Sequence, residues 1–127
     1  MKFTNLALTV EVLNYALALE HLEASFYKEG LKNYTQEDFI KAGMKDPFYA
    51  NSKEVASDEK DHVDFLTTAL RDIAYLGAAA TIMSDTYLIA VGSILITEAR
   101  HSAYLRAALG EVFFAQAFDN PLGFNEV

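Results

Sequence analysis

The sequence contains no cysteine and no tryptophan, and only 2 prolines and 6 glycines among 127 residues. Without cysteine there is no disulfide, no thiolate metal ligand and no thiol nucleophile. So few prolines and glycines leave little to interrupt a helix. Cations are scarce as well: 10 Lys and Arg stand against 18 Asp and Glu, a net charge of −8. Phosphate binding needs clustered Lys and Arg, so nucleic acid is not an expected partner. The same balance speaks against an anionic membrane surface. No apolar run is long enough to span a bilayer. The first residues, Met1 to Leu6, lack the basic, apolar and small-residue succession of a signal peptide. The expected location is therefore cytoplasmic by default, or outside the cell if a leader has been trimmed.

What remains is apolar and alanine-rich. Hydrophobic residues make up 52% of the chain and 19 residues are Ala, the best helix former. No segment alternates apolar and polar residues at the period of a strand. The expectation is an all-α single domain over residues 1–127. A first long helix is expected from an N-cap at Thr9 to a stop at Gly30. Its apolar stripe is Leu13, Ala16, Leu17, Glu20, Glu23, Ala24 and Tyr27. Thr35 to Asp38 reads as a capping box for a short turn ended by Gly43. Asp46-Pro47 reads as N-cap and first residue of the next piece. A second long helix over roughly 51–70 carries Val55, Glu59, His62, Val63, Leu66, Ala69 and Leu70. Residues 71–83 form either a short third helix or a continuation of the second. A last helix from Asp85 to Gly110 carries Leu88, Val91, Leu95, Glu98, His101, Ser102 and Leu105.

Two of the three histidines follow a glutamate by three residues: Glu59 with His62, and Glu98 with His101. At that spacing both side chains leave one face of a helix, and in each case it is the apolar face. Glu20 lies on the apolar stripe of the first helix in the same way. One such pair is a common coincidence and reads as a solvated surface. With 10 Glu in the chain, two of three histidines matching by chance is on the order of 2%. Burying a carboxylate costs several kcal/mol unless it is paired or bound to a cation. One bivalent metal site would answer that cost for three helices together. Carboxylate oxygen with imidazole nitrogen suits iron or manganese. Bundle di-metal sites are built from single glutamates and Glu-x-x-His pairs on facing helices. His21 lies one residue off the stripe and reads as a boundary histidine. Glu23 reads as a further ligand or an acid just outside the ligand ring. Tyr27, Tyr75 and Tyr104 read as core or boundary tyrosines with bonded hydroxyls. Asp58, Lys60, Asp61 and Asp64 read as a solvated face.

At these residues the sequence resembles the ferritin-like superfamily, and more closely the ferritin-like domain of desiccation- and stress-related proteins. The segments that carry the resemblance are LNYALALEHLEASFY (13–27), ASDEKDHVDFLTTAL (56–70), AYLGAA (74–79), GSILITEARHSAYLR (92–106) and FDNPLGFNEV (118–127). It implies an antiparallel four-helix bundle with a di-iron or di-manganese centre. Glu20, Glu59, His62, Glu98 and His101 match ligand positions, and Tyr27 matches a tyrosine common beside them. One position departs. The third-helix glutamate, expected about seven residues before Tyr75, is Thr68. The chain thus resembles a shortened member with a third helix cut down or fused to the second. Five of six ligands remain, and a homodimer is expected to complete the bundle.

Two functional readings follow. In the first, the domain binds iron or manganese, two ions if the site is complete, and takes oxygen or peroxide as a small-molecule substrate in an oxidase, ferroxidase or peroxide-removing role. In the second, it is a non-catalytic helical stress or assembly protein that binds no metal. Whether the chain is an enzyme depends on which holds.

Overall fold

With so few breakers, helix dominates. The computed structural model describes residues 2–76, 85–114 and 116–117, and of residues 2–9, 75–76 and 85–88 the backbone alone. Four helices are present among them, and no strand: α1 (Lys2–Asn33), α2 (Gln36–Lys41), α3 (Phe48–Leu76) and α4 (Asp85–Ala108).

Helix α1 is longer than its expected limits at both ends. Thr9 is not its N-cap, because nothing between Lys2 and Thr9 breaks a helix. Gly30 is not its stop either. It keeps a helical φ, and its carbonyl accepts the Tyr34 N–H at 2.9 Å. A glycine inside a helix costs about 1 kcal/mol relative to alanine, which is small against the packing of so long an element. The α2 turn starts as the sequence predicts. Thr35 Oγ1 accepts the Asp38 N–H at 3.3 Å, and Asp38 Oδ2 accepts the Thr35 N–H at 2.8 Å. Gly43 ends the turn with φ 91°, a conformation natural to glycine. Pro47 stands one place earlier in α3 than expected: its carbonyl accepts the first helical bond, from Asn51 N–H at 2.9 Å.

Helix α3 settles the fate of Arg71. It continues without a break to Leu76, so residues 71–76 extend the second long helix. Residues 77–83 lie outside the described residues. Helix α4 ends at Ala108, and Gly110 follows with φ 75°. The chain is then tied back by Arg106, whose Nε donates to the Val112 carbonyl at 2.8 Å.

Helix α3 is the central element, packing against both α1 and α4. Leu13 of α1 meets Leu66 and Ile73 of α3, and Val91 and Ile94 of α4 close over them. Lys53, Glu54, Lys60, Asp61 and Asp64 of α3 are exposed, while Val55, Leu66 and Ala69 are buried, and the polar Ser52 and Glu59 with them. Near the start of α3, Phe48 stacks on Tyr104 at 5.7 Å and the Asn51 amide donates to the Tyr104 hydroxyl at 2.9 Å.

The outer helices are apolar on more than one side. On α1, Val12, Leu19, Leu22 and Phe26 are exposed, and on α4, Ile89, Leu95 and Ile96 are. Leu95 therefore departs from its expected place in the core stripe. Periodicity locates an apolar face, but on a helix that is apolar all round it does not say which face turns inward. Ser102 is likewise exposed. No helix among the described residues is long and apolar enough to cross a membrane.

Candidate metal centre

Each acidic residue of the centre reaches the interior because helical spacing puts it on a stripe that packs. Glu20 follows Leu13 by two turns on α1, Glu59 precedes Leu66 by two turns on α3, and Glu98 follows Val91 by two turns on α4. Leu13, Leu66 and Val91 belong to one hydrophobic cluster. Their helices carry the three carboxylates to the same level. Glu59 is 1% exposed and Glu20 is 5% exposed. Both are extreme for ionisable side chains.

His62 Nδ1 lies 3.0 Å from Glu98 Oε1, 3.2 Å from Glu20 Oε2 and 3.5 Å from Glu59 Oε2. One imidazole nitrogen thus faces carboxylates from three helices. His101 Nδ1 lies 2.9 Å from Glu59 Oε1 and 3.5 Å from Glu98 Oε2. The two rings stand 6.3 Å apart. Donor atoms of Glu20, Glu59, His62 and Glu98 all lie within 4.8 Å of one another. His101 adjoins that set.

Asp58 was expected on a solvated face and is corrected by the structure. Its Oδ2 lies 3.1 Å from His101 Nε2, although the carboxylate is half exposed. On its own helix Asp58 sits off the buried stripe. Only the approach of α4 shows that it meets a histidine. Such a contact fixes the ring and leaves the other nitrogen turned inward. Of the remaining candidates, His21 is exposed, while Glu23 and Tyr27 are half-buried. Asp61, Asp64 and Lys60 are exposed as expected, Lys60 paired with Asp64. The side chain of Tyr75 lies outside the described residues.

The electrostatics match the crowding. Burial, a hydrogen bond with Glu20 and the charges of Glu98, Glu23 and Glu20 raise the Glu59 carboxyl to about 9. Burial and the Glu20 charge raise Glu98, against the pull of both histidines. Glu23 is raised by burial and by the charges of Glu98 and Glu20. Tyr27 is pushed up to about 12 by burial and by Glu59, Glu23 and Glu98, so its phenol stays protonated at neutral pH.

The donor set fits a cation. Three buried atoms have no hydrogen-bond partner: Glu59 Oε2, Glu98 Oε1 and His101 Nδ1. They are close to other polar atoms, yet their geometry is not that of hydrogen bonds. Buried polar atoms left so are rare and costly. With Nε2 donating to Asp58, His101 Nδ1 faces two carboxylates, and either a proton or a cation must stand between them. Oxygen and imidazole donors in this ratio suit iron or manganese chemistry.

The family model for the ferritin-like domain matches residues 8–73 and 72–111, and the chain belongs to the ferritin-like family. The two matched segments meet at residues 72–73. No curated protein and no solved structure matches significantly.

Proposed function

We propose that this protein is a ferritin-like metal-binding domain whose centre takes iron or manganese. Glu20, Glu59, His62, Glu98 and His101 hold the metal, with Glu23 and Tyr27 beside them. The observation that carries this reading is the trio of orphaned buried atoms, Glu59 Oε2, Glu98 Oε1 and His101 Nδ1, in one cluster. A metal-free scaffold has one point in its favour, since protonated histidines would sit within 3.5 Å of these carboxylates. Without metal, the histidine protons and the proton on the raised Glu59 carboxyl have to serve these atoms separately, whereas one cation meets carboxylate oxygen and imidazole nitrogen together.

Iron or manganese in such a site supplies redox chemistry toward oxygen or peroxide. The chain's own residues provide the rest. Glu59 and Glu98 divide their oxygens between two histidines. Asp58 holds the His101 ring, and Tyr27 keeps a neutral phenol at the edge. The oligomer proposed with this function is a homodimer through the apolar outer faces of α1 and α4. Elemental analysis of the purified, untagged protein tests the reading. One to two iron or manganese per chain is expected. None, even after anaerobic ferrous loading, rejects it in favour of a helical assembly module.

A further inference from the structure

Resting on that reading, we infer that Tyr104 is a positioning residue for the metal centre: its bond to Asn51 and its stack on Phe48 clasp α4 to α3 and set the register at which α4 presents Glu98 and His101. Tyr104 follows His101 by three residues, so both side chains leave one face of α4. On α3, Asn51 precedes the buried Val55 by four residues and the buried Glu59 by eight. The clasp therefore lies on the faces that carry the centre, one turn beyond it on α4 and about two turns before it on α3. Its geometry is specific. The Asn51 amide donates to the Tyr104 hydroxyl at 2.9 Å in a partly buried position. The rings of Phe48 and Tyr104 lie 5.7 Å apart with their planes 14° from parallel. Phe48 is braced from its other neighbour, Phe39 of α2, at 5.8 Å.

The need for such a clasp follows from how α4 is otherwise held. Its earlier half packs through Val91 and Ile94 on Leu13, Leu66 and Ile73. Apolar burial is non-directional, and α4 has exposed apolar residues on other sides that could turn inward as well. That packing holds α4 close without fixing its rotation or its height. A hydrogen bond and a ring stack have preferred distances and angles, so the clasp supplies what the apolar contact does not. Three contacts cross from α4 to α3 at the centre and depend on this register. His101 Nδ1 meets Glu59 Oε1 at 2.9 Å, His101 Nε2 meets Asp58 Oδ2 at 3.1 Å and Glu98 Oε1 meets His62 Nδ1 at 3.0 Å. Donors must be held within about 0.5 Å of the productive geometry by the residues that support them. Glu98 and His101 stand between the two anchors of α4, Ile94 on one side and Tyr104 on the other.

The test is an Mn²⁺ titration of the metal-free protein, followed by calorimetry and by the electron-spin signal of bound Mn²⁺, at a temperature where every variant keeps its helical spectrum. Tyr104→Phe keeps the ring and removes the hydroxyl. It is expected to weaken Mn²⁺ binding about two- to tenfold, the net worth of one hydrogen bond, and to change the bound-metal signal. Asn51→Ala should do the same, and the double variant no more than either alone. Asn51→Asp, whose carboxylate accepts from the Tyr104 hydroxyl, should restore wild-type affinity, but not in combination with Tyr104→Phe. Tyr49→Leu is the control for stability. Its ring meets Phe39 and the Lys53 ammonium, so it should lower the melting temperature and leave affinity and signal alone. Unchanged affinity and signal in Tyr104→Phe, additive losses in the double variant, or an equal loss of affinity in Tyr49→Leu would overturn the inference while leaving the metal reading intact. No binding by wild type would reject that reading itself, and this inference with it.

Discussion

Glu59 and Glu98 cross-share two histidines. Glu59 turns Oε1 to His101 at 2.9 Å and Oε2 to His62 at 3.5 Å, while Glu98 turns Oε1 to His62 at 3.0 Å and Oε2 to His101 at 3.5 Å. Each carboxylate therefore belongs to both halves of the centre. Neither can be removed without opening both, which makes these two residues the sharpest probes of what the cluster is for.

Glu59→Gln separates the two functional readings. Glu59 is fully buried among other acids and keeps its proton at neutral pH in the metal-free protein, so a neutral isostere costs little there. The variant is expected to melt near the wild-type temperature without metal. With metal the two diverge. A site-bound ion adds about 2.7 kcal/mol to wild type at a hundredfold excess over Kd, roughly 10 °C for a chain of this size. Glu59→Gln is expected to lose that gain. Thermal melts with and without Mn²⁺ check it, and an equal rise in both proteins would remove Glu59 from the ligand set.

The raised Glu59 carboxyl makes stability pH-dependent in a defined direction. Its ordinary value is 4.5, and burial with the neighbouring acids lifts it to about 9 in the folded protein. The folded state therefore binds this proton more tightly than the unfolded state does. The stabilising contribution is complete below 4.5 and declines as pH rises toward 9. Metal-free protein is expected to melt lower at pH 8 than at pH 6. A metal displaces the proton, so the rise on adding Mn²⁺ should be larger at pH 8. A metal-free melting temperature that climbs over this interval would contradict the assignment.

Much of this was legible in the sequence, and the failures share a cause. Glu20, Glu59, His62, Glu98 and His101 stand on apolar stripes at helical spacing, and spacing along one helix is what a sequence encodes directly. Asp58 was not legible because its role depends on where a different helix crosses. Leu95 departs from its stripe because α4 carries apolar residues on more than one side, so periodicity alone gives no unique direction. Helix α1 runs past Thr9 and Gly30, since a good cap or stop residue acts only where the neighbouring residues lack a stronger reason to continue. Asp38, by contrast, closes the capping box on Thr35 within three residues, and such a local bond can be read without knowing the rest.

The core offers a check on the packing that carries the site. Leu66 is 1% exposed and touches the cluster formed with Leu13 and Ile73. Leu66→Ala is expected to cost about 2–5 kcal/mol in chemical denaturation. Because Leu66 sits two turns from Glu59 on the same face of α3, the loosened cluster should also weaken Mn²⁺ binding. A small loss of stability with unchanged binding would mean that the helices hold their positions without this contact.

The outer faces of α1 and α4 test the homodimer. Leu22 and Phe26 on α1 and Ile89 and Leu95 on α4 are each between 67 and 70% exposed. With Val12, Leu19 and Ile96, they leave on the order of 800 Å² per copy open to water, the share each partner gives to a standard stable interface. Every copy carries the same faces, so a two-fold interface buries them on both sides at once. Leu22→Glu and Leu95→Glu place a charge on each face in turn. In a monomer both positions are solvated and either change is worth within about 0.5 kcal/mol. In a dimer each charge is buried against apolar surface, and the expected result by sedimentation is a monomer with an unchanged helical spectrum. If wild type already sediments as a monomer, or both variants remain dimers, the outer faces are not the interface.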